Sequence, residues 1–73
     1  MEQLLDARGL RCPLPLIRAR LALASLPPAD TLVVLATDPE APIDLAALAA
    51  DAGRAFAQSR EGGEWRLVLA PEQ

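Results

Sequence analysis

Residues 31–37 restrict the fold more than any other segment, because they read Thr-Leu-Val-Val-Leu-Ala-Thr and contain no charged residue. A continuous apolar run of this length is typical of a strand that is covered on both faces or nearly so. Such a strand belongs near the centre of a sheet. The chain has 73 residues, which is enough for one core between two layers of secondary structure. We therefore expect residues 1–73 to form a single domain around this strand.

A short strand and a helix precede the central strand. Residues 3–6 predict the strand, and Gly9 marks the turn that follows it. Pro13 and Pro15 predict a helix that begins at Pro13, because proline is favoured in the first helical turn and disfavoured further in. Apolar residues then recur at helical spacing and define an apolar face of that helix, namely Leu14, Ile17, Leu21 and Ala24.

A second helix and a hairpin follow the central strand. Residues 38–42 are predicted to form a loop, and Gly53 is a natural C-terminal cap for the helix after it. One face of that helix is defined by apolar residues at helical spacing, namely Leu45, Leu48, Ala49 and Ala52. Residues 55–60 and 65–70 are predicted strands, joined by a turn whose two adjacent glycines allow positive φ angles. Trp65, Leu67 and Leu69 share one strand face.

The predicted element order is therefore β-α-β-α-β-β. A right-handed crossover makes the first two strands parallel, and the hairpin makes the last two antiparallel. We accordingly predict an α/β (α+β) two-layer sandwich, in which two helices cover one face of a mixed four-stranded sheet.

The missing residue types narrow the chemistry open to this chain. The sequence has no histidine, lysine or tyrosine, which leaves cysteine, carboxylates and arginine. One cysteine without histidine can form neither an intrachain disulfide nor a closed four-ligand zinc site. We therefore expect no metal and no cofactor. The free thiol and the absence of a basic-then-apolar leader favour a cytoplasmic location, and the apolar runs are too short for a membrane span.

The net charge of −3 bears on possible partners. It does not supply the basic surface that direct nucleic-acid binding requires, so no nucleic-acid partner is expected. The acidic balance favours partner proteins with basic surfaces, or else it only keeps a small protein soluble. We expect the chain to be monomeric on its own.

Cys12 is the candidate catalytic residue. It precedes a predicted helix N-terminus, whose free N–H groups and dipole favour a thiolate, and Arg8 and Arg11 lie nearby in sequence. These features predict a thiol pKa below its ordinary value and a fast reaction with iodoacetamide. The loop before Cys12 and the proline-braced helix after it predict an exposed side chain at the helix tip. The alternative is a small buried hydrophobic residue without reactivity.

Six further residues are expected to support the cysteine, namely Asp6, Arg8, Gly9, Arg11, Pro13 and Pro15. They would either shape the loop and the helix start or contact the sulfur or a partner. Asp6 either orients the loop or caps a local turn, and Asp38 presents the same alternatives. Arg8 and Arg11 either stabilise an anion and steer an acidic partner, or are only solvated. Trp65 is expected at the edge of the core.

Residues 5–15, Leu-Asp-Ala-Arg-Gly-Leu-Arg-Cys-Pro-Leu-Pro, closely resemble the signature of the TusA/SirA sulfur-carrier family, a Leu-Asp pair, a glycine and a Cys-Pro-x-Pro box at this spacing. Residues 37–39, Asp44 and the terminal hairpin extend the resemblance over nearly the whole chain. The resemblance implies a two-layer sandwich in which Cys12 carries persulfide sulfur. It also implies a donor protein, either a cysteine desulfurase or a rhodanese-like protein, and an acceptor in tRNA thiolation, molybdenum-cofactor synthesis or dissimilatory sulfur oxidation.

The resemblance favours a sulfurtransferase-type persulfide carrier, and two other functions fit the same residues. One is a non-catalytic regulatory or interaction module in which the cysteine box shapes a docking surface. The other is a redox switch in which Cys12 forms a mixed disulfide or a sulfenic acid. In a carrier, the lack of a second cysteine means that sulfur leaves only when a nucleophile on another protein attacks it.

Overall fold

Six elements follow one another in the computed structural model, which describes residues 1–71. They are β1 (Glu2–Ala7), α1 (Leu14–Ala24), β2 (Thr31–Ala36), α2 (Ala41–Asp51), β3 (Ala55–Glu61) and β4 (Glu64–Ala70). The predicted order β-α-β-α-β-β is confirmed. The main difference is at α2, which begins inside the loop predicted at residues 38–42, because Pro42 lies in the first helical turn, where proline is favoured. No helix in the described part of the chain is long and apolar enough to cross a membrane.

The four strands form one mixed sheet in the order β1-β2-β4-β3. β1 and β2 are parallel, whereas β4 is antiparallel to both β2 and β3, as the crossover and the hairpin require. Both helices lie on one face of this sheet, so the predicted two-layer α+β sandwich is confirmed. The hairpin turn consists of Gly62 and Gly63, and their φ angles of 58° and 83° are available to glycine at little cost.

The central strand β2 is buried along most of its length, although only one of its faces is covered by helices. Leu32 and Val34 face the helices and are at most 1% exposed. Val33 points to the opposite face and is also fully buried, because Leu4 of β1 and Val68 of β4 flank it in register. The helix-facing core continues into β4 and α2 through Leu67, Leu69, Leu45, Leu48 and Ala49, whereas Ala52 is exposed.

Helix α1 buries a different face from the one that its apolar periodicity indicated. Leu14 and Ile17 are each 43% exposed and Leu21 is 67% exposed, whereas Pro15 and Ala19 are buried against the sheet. The helix is apolar on most of its circumference, so periodicity alone does not orient it. Leu16, Ala22 and Leu23 also pack partly buried against the core, whereas Leu14, Ile17 and Leu21 extend into solvent.

Candidate functional site

Cys12 lies in the loop between β1 and α1, and its side chain is exposed. Because β1 and β2 are parallel, the loops that follow them leave the same edge of the sheet and meet there. A cleft of about 330 Å³ opens between the two loops and is lined by Gly9, Leu10, Arg11, Cys12, Thr37, Asp38 and Pro39. The exposure excludes the alternative of a buried, inert cysteine.

The two loops are tied together by hydrogen bonds from backbone to side chain. The Gly9 N–H donates to Thr37 Oγ1 at 2.9 Å, and the Cys12 N–H donates to the Asp38 carboxylate. The second oxygen of that carboxylate accepts a hydrogen bond from the Glu40 N–H at 3.0 Å. The bonds from Glu40 and Cys12 lower the pKa of Asp38 below its ordinary value. Asp38 therefore fixes the backbone of the cysteine to the start of the second helix.

Asp44 is the residue that touches the sulfur. It lies in the first turn of α2, and its Oδ2 accepts a hydrogen bond from Cys12 Sγ at 3.4 Å. This bond raises the pKa of the Cys12 thiol, and desolvation and the negative charges of Asp44, Asp38 and Glu40 raise it further. The thiol is thus held in its protonated form more firmly than a free cysteine.

The lowered pKa that the sequence predicted for Cys12 is therefore wrong. Pro13 and Pro15 occupy the helix start but have no N–H, and the N–H of Leu14 donates to the carbonyl of Arg11 at 2.8 Å. The prolines at this helix tip thus remove two of the N–H groups on which the prediction relied, and the bond to Arg11 occupies a third. The charges that act on the thiol come instead from carboxylates of the neighbouring loop and helix.

Arg8 is also directed away from the cysteine. Its guanidinium forms an ion pair with Asp6 at 2.9 Å and a longer one with Glu64 at 3.5 Å. Asp6 accepts hydrogen bonds from both the side chain and the backbone N–H of Arg8, and these bonds lower the pKa of Asp6 to about 2. Asp6 therefore makes the local turn bond that was one of the two roles predicted for it.

The remaining predicted residues divide into surface and core. Arg11 and Pro13 are exposed next to Cys12, and Gly9 adopts a φ of 82°, which a side chain would disfavour. Pro15 is buried on the inner side of α1, so its contribution is to packing rather than to the cleft. Within residues 1–71 no group of three or more His, Cys, Asp or Glu side chains is arranged to hold a metal ion.

Asp44 was missing from the predicted site, although the sequence contained a signal for it. Parallel strands joined by a crossover place the loop after β1 beside the loop after β2 and the N-terminus of α2. An acidic residue in the first turn of that helix is therefore a neighbour of Cys12. The resemblance to a known family had also included Asp44, without a role.

A larger apolar groove, of about 610 Å³, adjoins the cysteine cleft through Pro39. It lies between α2 and β3, and its lining includes Ile43, Phe56 and Trp65. Trp65 is partly buried against the core, with the Arg60 guanidinium 5.1 Å from the ring centre, which matches its expected place at the core edge. We place the functional site in the smaller cleft, because only that cleft contains the nucleophile.

Replacing Asp44 with asparagine is expected to lower the pKa of Cys12, because the substitution removes the nearest negative charge and the carboxylate that accepts the thiol proton. Below the pKa, the gain in thiolate outweighs the smaller loss of intrinsic nucleophilicity, so Asp44→Asn should alkylate severalfold faster at pH 7. The measurement is the rate of iodoacetamide modification of each protein between pH 6 and 10. Asp51→Asn removes an exposed charge from the other end of α2 and should leave the titration unchanged. An unchanged or higher midpoint in Asp44→Asn would contradict this account.

Comparison with known proteins adds a family relationship to this geometry. The family model described as sulfurtransferase TusA matches residues 3–70. The sulfur carrier protein TusA of Allochromatium vinosum is 39% identical over 69 residues, which cover 93% of this chain and 91% of that protein. A protein of Neisseria meningitidis serogroup A has a name that proposes a sulfur-carrier role. It is 43% identical to this chain over 69 residues, which cover 93% of each chain.

The fold has a solved counterpart. The crystal structure of a SirA-like protein from Desulfitobacterium hafniense superposes with a TM-score of 0.86 over 100% of both chains, at 28% sequence identity.

Proposed function

Since this chain belongs to the TusA sulfurtransferase family and is a sulfur carrier, we propose that it holds sulfur as a persulfide on Cys12 and passes it to an acceptor protein. The observation that supports this assignment most directly is the exposed thiol in an open cleft. It is the only thiol in the sequence. A partner sulfur atom can therefore reach this group without any rearrangement of the core.

Loading is a thiol exchange in which the Cys12 thiolate attacks the outer sulfur of a persulfide on the donor. A sulfur–sulfur bond forms at Cys12, the bond between the two donor sulfurs breaks, and the donor cysteine leaves as a thiolate. The outer sulfur keeps its proton or loses it to water. No electron is gained or lost overall, so the exchange needs no oxidant, reductant or cofactor.

Asp44 governs the protonation of the attacking group. Its carboxylate accepts the thiol hydrogen bond and is the proton acceptor closest to the sulfur. In the free carrier this contact holds the thiol protonated, which slows oxidation and unselective reactions, since the thiolate is the reactive form. When a donor docks, the proton can leave through Asp44 as the new sulfur–sulfur bond forms.

Delivery repeats the exchange with the roles reversed. A thiolate or another nucleophile on the acceptor attacks the outer sulfur, and Cys12 leaves as the thiolate. Because the sequence has no second cysteine, no internal disulfide can expel the sulfur. The carrier therefore retains its sulfur until an acceptor docks.

The partners in this proposal are proteins. A cysteine desulfurase or a rhodanese-like protein supplies the sulfur, and the acceptor belongs to tRNA thiolation, molybdenum-cofactor synthesis or sulfur oxidation. We place the relay in the cytoplasm, where thioredoxin and glutathione keep a lone thiol reduced. We expect the carrier itself to be a monomer that docks one partner at a time.

The test is mass spectrometry of the intact protein after incubation with a cysteine desulfurase and cysteine. We expect a gain equal to one sulfur atom, located on Cys12 by peptide mapping and removed by dithiothreitol. A resolving power sufficient to separate one sulfur from two oxygens distinguishes a persulfide from an oxidised thiol. Parallel incubations use rhodanese with thiosulfate, and glutathione persulfide as a small-molecule donor. Failure of all three to load Cys12 would refute the proposal.

A further inference from the structure

The apolar groove between α2 and the edge strand β3 is not used by the cysteine chemistry described above. Ile43 and Ala46 line it from α2, and Phe56 and Trp65 line it from the sheet. Ile43 is 69% exposed although it is a large aliphatic side chain. A concave apolar surface of about 610 Å³ is of the size that binds ligands or partners. The groove is therefore a candidate binding surface of its own.

β3 is an edge strand without the features that usually protect one. Within residues 1–71 it pairs only with β4, and the pairing continues over seven residues without a bulge. Its sequence, Ala-Phe-Ala-Gln-Ser-Arg-Glu, contains neither proline nor lysine, and its two charged residues lie at the end next to the hairpin. Natural sheets usually protect their edges with prolines, lysines or bulges, because unpaired backbone groups recruit further strands. β3 is therefore available to an additional strand.

The unpaired backbone groups of β3 belong to the residues whose side chains face the groove. A two-residue turn makes Glu61 and Glu64 a hydrogen-bonded pair, and such pairs recur at every second residue of an antiparallel ladder. The N–H and C=O groups of Phe56, Gln58 and Arg60 consequently point away from β4. Phe56 and Gln58 also line the groove. A strand added here would bond to these backbone groups and place every second side chain against α2.

The groove leads to the cysteine cleft. Pro39 lines both cavities, and Ile43 of the groove directly precedes Asp44, whose carboxylate accepts the hydrogen bond from Cys12. β3 runs in the same direction as β2, because both are antiparallel to β4, so its hairpin end lies at the same edge of the sheet as the cysteine loop. An extended chain advances about 3.3 Å per residue. A few residues are thus enough to extend from the groove to the sulfur.

We propose that this groove receives an extended segment of the protein that accepts sulfur from Cys12, and that the segment adds to β3 as a fifth strand. The segment carries apolar side chains at every second position, and a cysteine next to lysine or arginine at the end that reaches the cleft. The inference rests on the proposed function, because it concerns how an acceptor reaches the loaded sulfur. In strand addition the main-chain hydrogen bonds supply affinity, and the pockets for alternate side chains supply specificity.

The charges near the thiol favour a basic residue beside the acceptor cysteine. The negative charges of Asp44, Asp38 and Glu40 act on Cys12. A lysine or arginine of the acceptor is attracted to these carboxylates and lowers the pKa of the cysteine next to it. The attacking thiolate of the acceptor is therefore favoured at the place where it meets the loaded sulfur.

The transfer step is a thiol exchange. The acceptor thiolate attacks the outer sulfur, a sulfur–sulfur bond forms on the acceptor, and the bond between that sulfur and Cys12 Sγ breaks. Cys12 leaves as a thiolate and takes up the proton that the acceptor thiol lost. No oxidant or reductant is consumed.

Two other occupants fit the groove less well. A second copy of this chain paired through β3 would bring two α2 helices side by side, and each contains two aspartates and no basic residue. Antiparallel pairing of β3 with itself would also place the two cysteines at opposite ends of the joined sheet, where neither reaches the other. A small apolar ligand would fill the groove but leave the backbone groups of β3 unpaired. The edge strand and the cysteine cleft together therefore favour an acceptor segment.

The experiment measures sulfur transfer from the loaded carrier to synthetic peptides. The carrier is loaded with glutathione persulfide and purified. The probe peptide, Lys-Cys-Gly-Val-Ser-Val-Ser-Val-Ser, has valine at every second position, and the matched peptide has serine in place of each valine. With its cysteine near the N-terminus the probe pairs antiparallel to β3. A second pair of peptides with the reversed sequence tests the parallel orientation.

Two variants of the carrier each remove one feature on which the inference depends. Gln58→Pro removes an N–H that points away from β4, so the ladder between β3 and β4 keeps its bonds. Ile43→Ser removes the exposed aliphatic side chain from the groove. The matched control is Leu4→Ser, since Leu4 is 66% exposed on the sheet face opposite the helices. Circular dichroism checks the fold of each variant.

We expect wild type and Leu4→Ser to transfer sulfur to the probe peptide about tenfold faster than to the serine peptide. In Gln58→Pro and Ile43→Ser the two peptides should react at rates within about twofold of each other. Transfer to dithiothreitol should be the same in every variant, since a small thiol needs no groove. Amide hydrogen exchange at Phe56, Gln58 and Arg60 should slow about tenfold when the probe peptide is bound, because these N–H groups then have partners.

Each other outcome overturns the inference. Equal rates for probe and serine peptides in both orientations remove the groove from acceptor binding, as does a preference for the probe that both groove variants retain or that Leu4→Ser loses equally. In these cases normal transfer to dithiothreitol leaves the proposed function intact, whereas a carrier that takes up no sulfur refutes the proposed function and the inference with it. Dimerisation in sedimentation equilibrium that Gln58→Pro abolishes assigns the edge strand to a second copy instead.

Discussion

Replacement of Cys12 with serine is expected to abolish sulfur loading from every donor, because the variant has no thiol left. A serine hydroxyl is not ionised at neutral pH and cannot form a stable bond to the outer sulfur of a persulfide. The measurement is the intact mass after incubation with a desulfurase and cysteine. No sulfur should be added to Cys12→Ser under conditions that load the wild type completely.

The same variant separates the carrier from a passive interaction module. Cys12→Ser should still dock, because the loop is held by backbone bonds from Gly9 and Cys12 that serine at position 12 can also make. Unloaded Cys12→Ser in excess should therefore slow the loading of wild type by competing for the donor. If Cys12→Ser retains full activity in a cell that depends on the wild-type gene, the chain acts through its surface and the carrier assignment is wrong.

Replacement of Leu67 with alanine is expected to destabilise the fold strongly. Leu67 is fully buried on β4, where it pairs with Val34 of β2 and Gln58 of β3. Truncating such a leucine costs about 2–5 kcal/mol, which is a large share of the roughly 5–15 kcal/mol that holds a small domain folded. A chain of this length should lose at least about 10 °C in Tm.

The measurement for Leu67→Ala is thermal and urea unfolding followed by circular dichroism. Leu4→Ala is the matched control, because Leu4 is 66% exposed on the opposite face of the sheet and its truncation should change the free energy of unfolding by only about 0.5 kcal/mol. Equal losses in the two variants would contradict the placement of the core between the sheet and the helices.

The raised thiol pKa changes how this carrier is understood. A permanently ionised thiol would react with any electrophile or oxidant it met, whereas a thiol hydrogen-bonded to Asp44 is restrained until a donor arrives. Selectivity then depends on docking rather than on the intrinsic reactivity of the sulfur. Asp44→Asn should accordingly gain reactivity towards iodoacetamide and towards oxidants together.

The elements of the fold were predictable because they depend on local patterns. The apolar run in β2, the prolines before α1 and the paired glycines of the hairpin each favour one backbone conformation whatever surrounds them. The parallel pairing of β1 and β2 followed from chain connectivity. The choice of Cys12 as the proposed sulfur-bearing residue was equally accessible, since it is the only cysteine in the sequence.

The orientation of α1 and the protonation of the thiol depended on tertiary structure. In α1 both faces are apolar, so periodicity did not decide between burying Ala19 and burying Ile17, and the packing of the helix against the sheet buried Ala19. The pKa of Cys12 is set by Asp44, 32 residues away, through a contact that exists only when the second helix is packed beside the first loop. Local sequence predicts conformation because torsional preferences are local. Packing and electrostatics act through space, so they were decided only when the chain had folded.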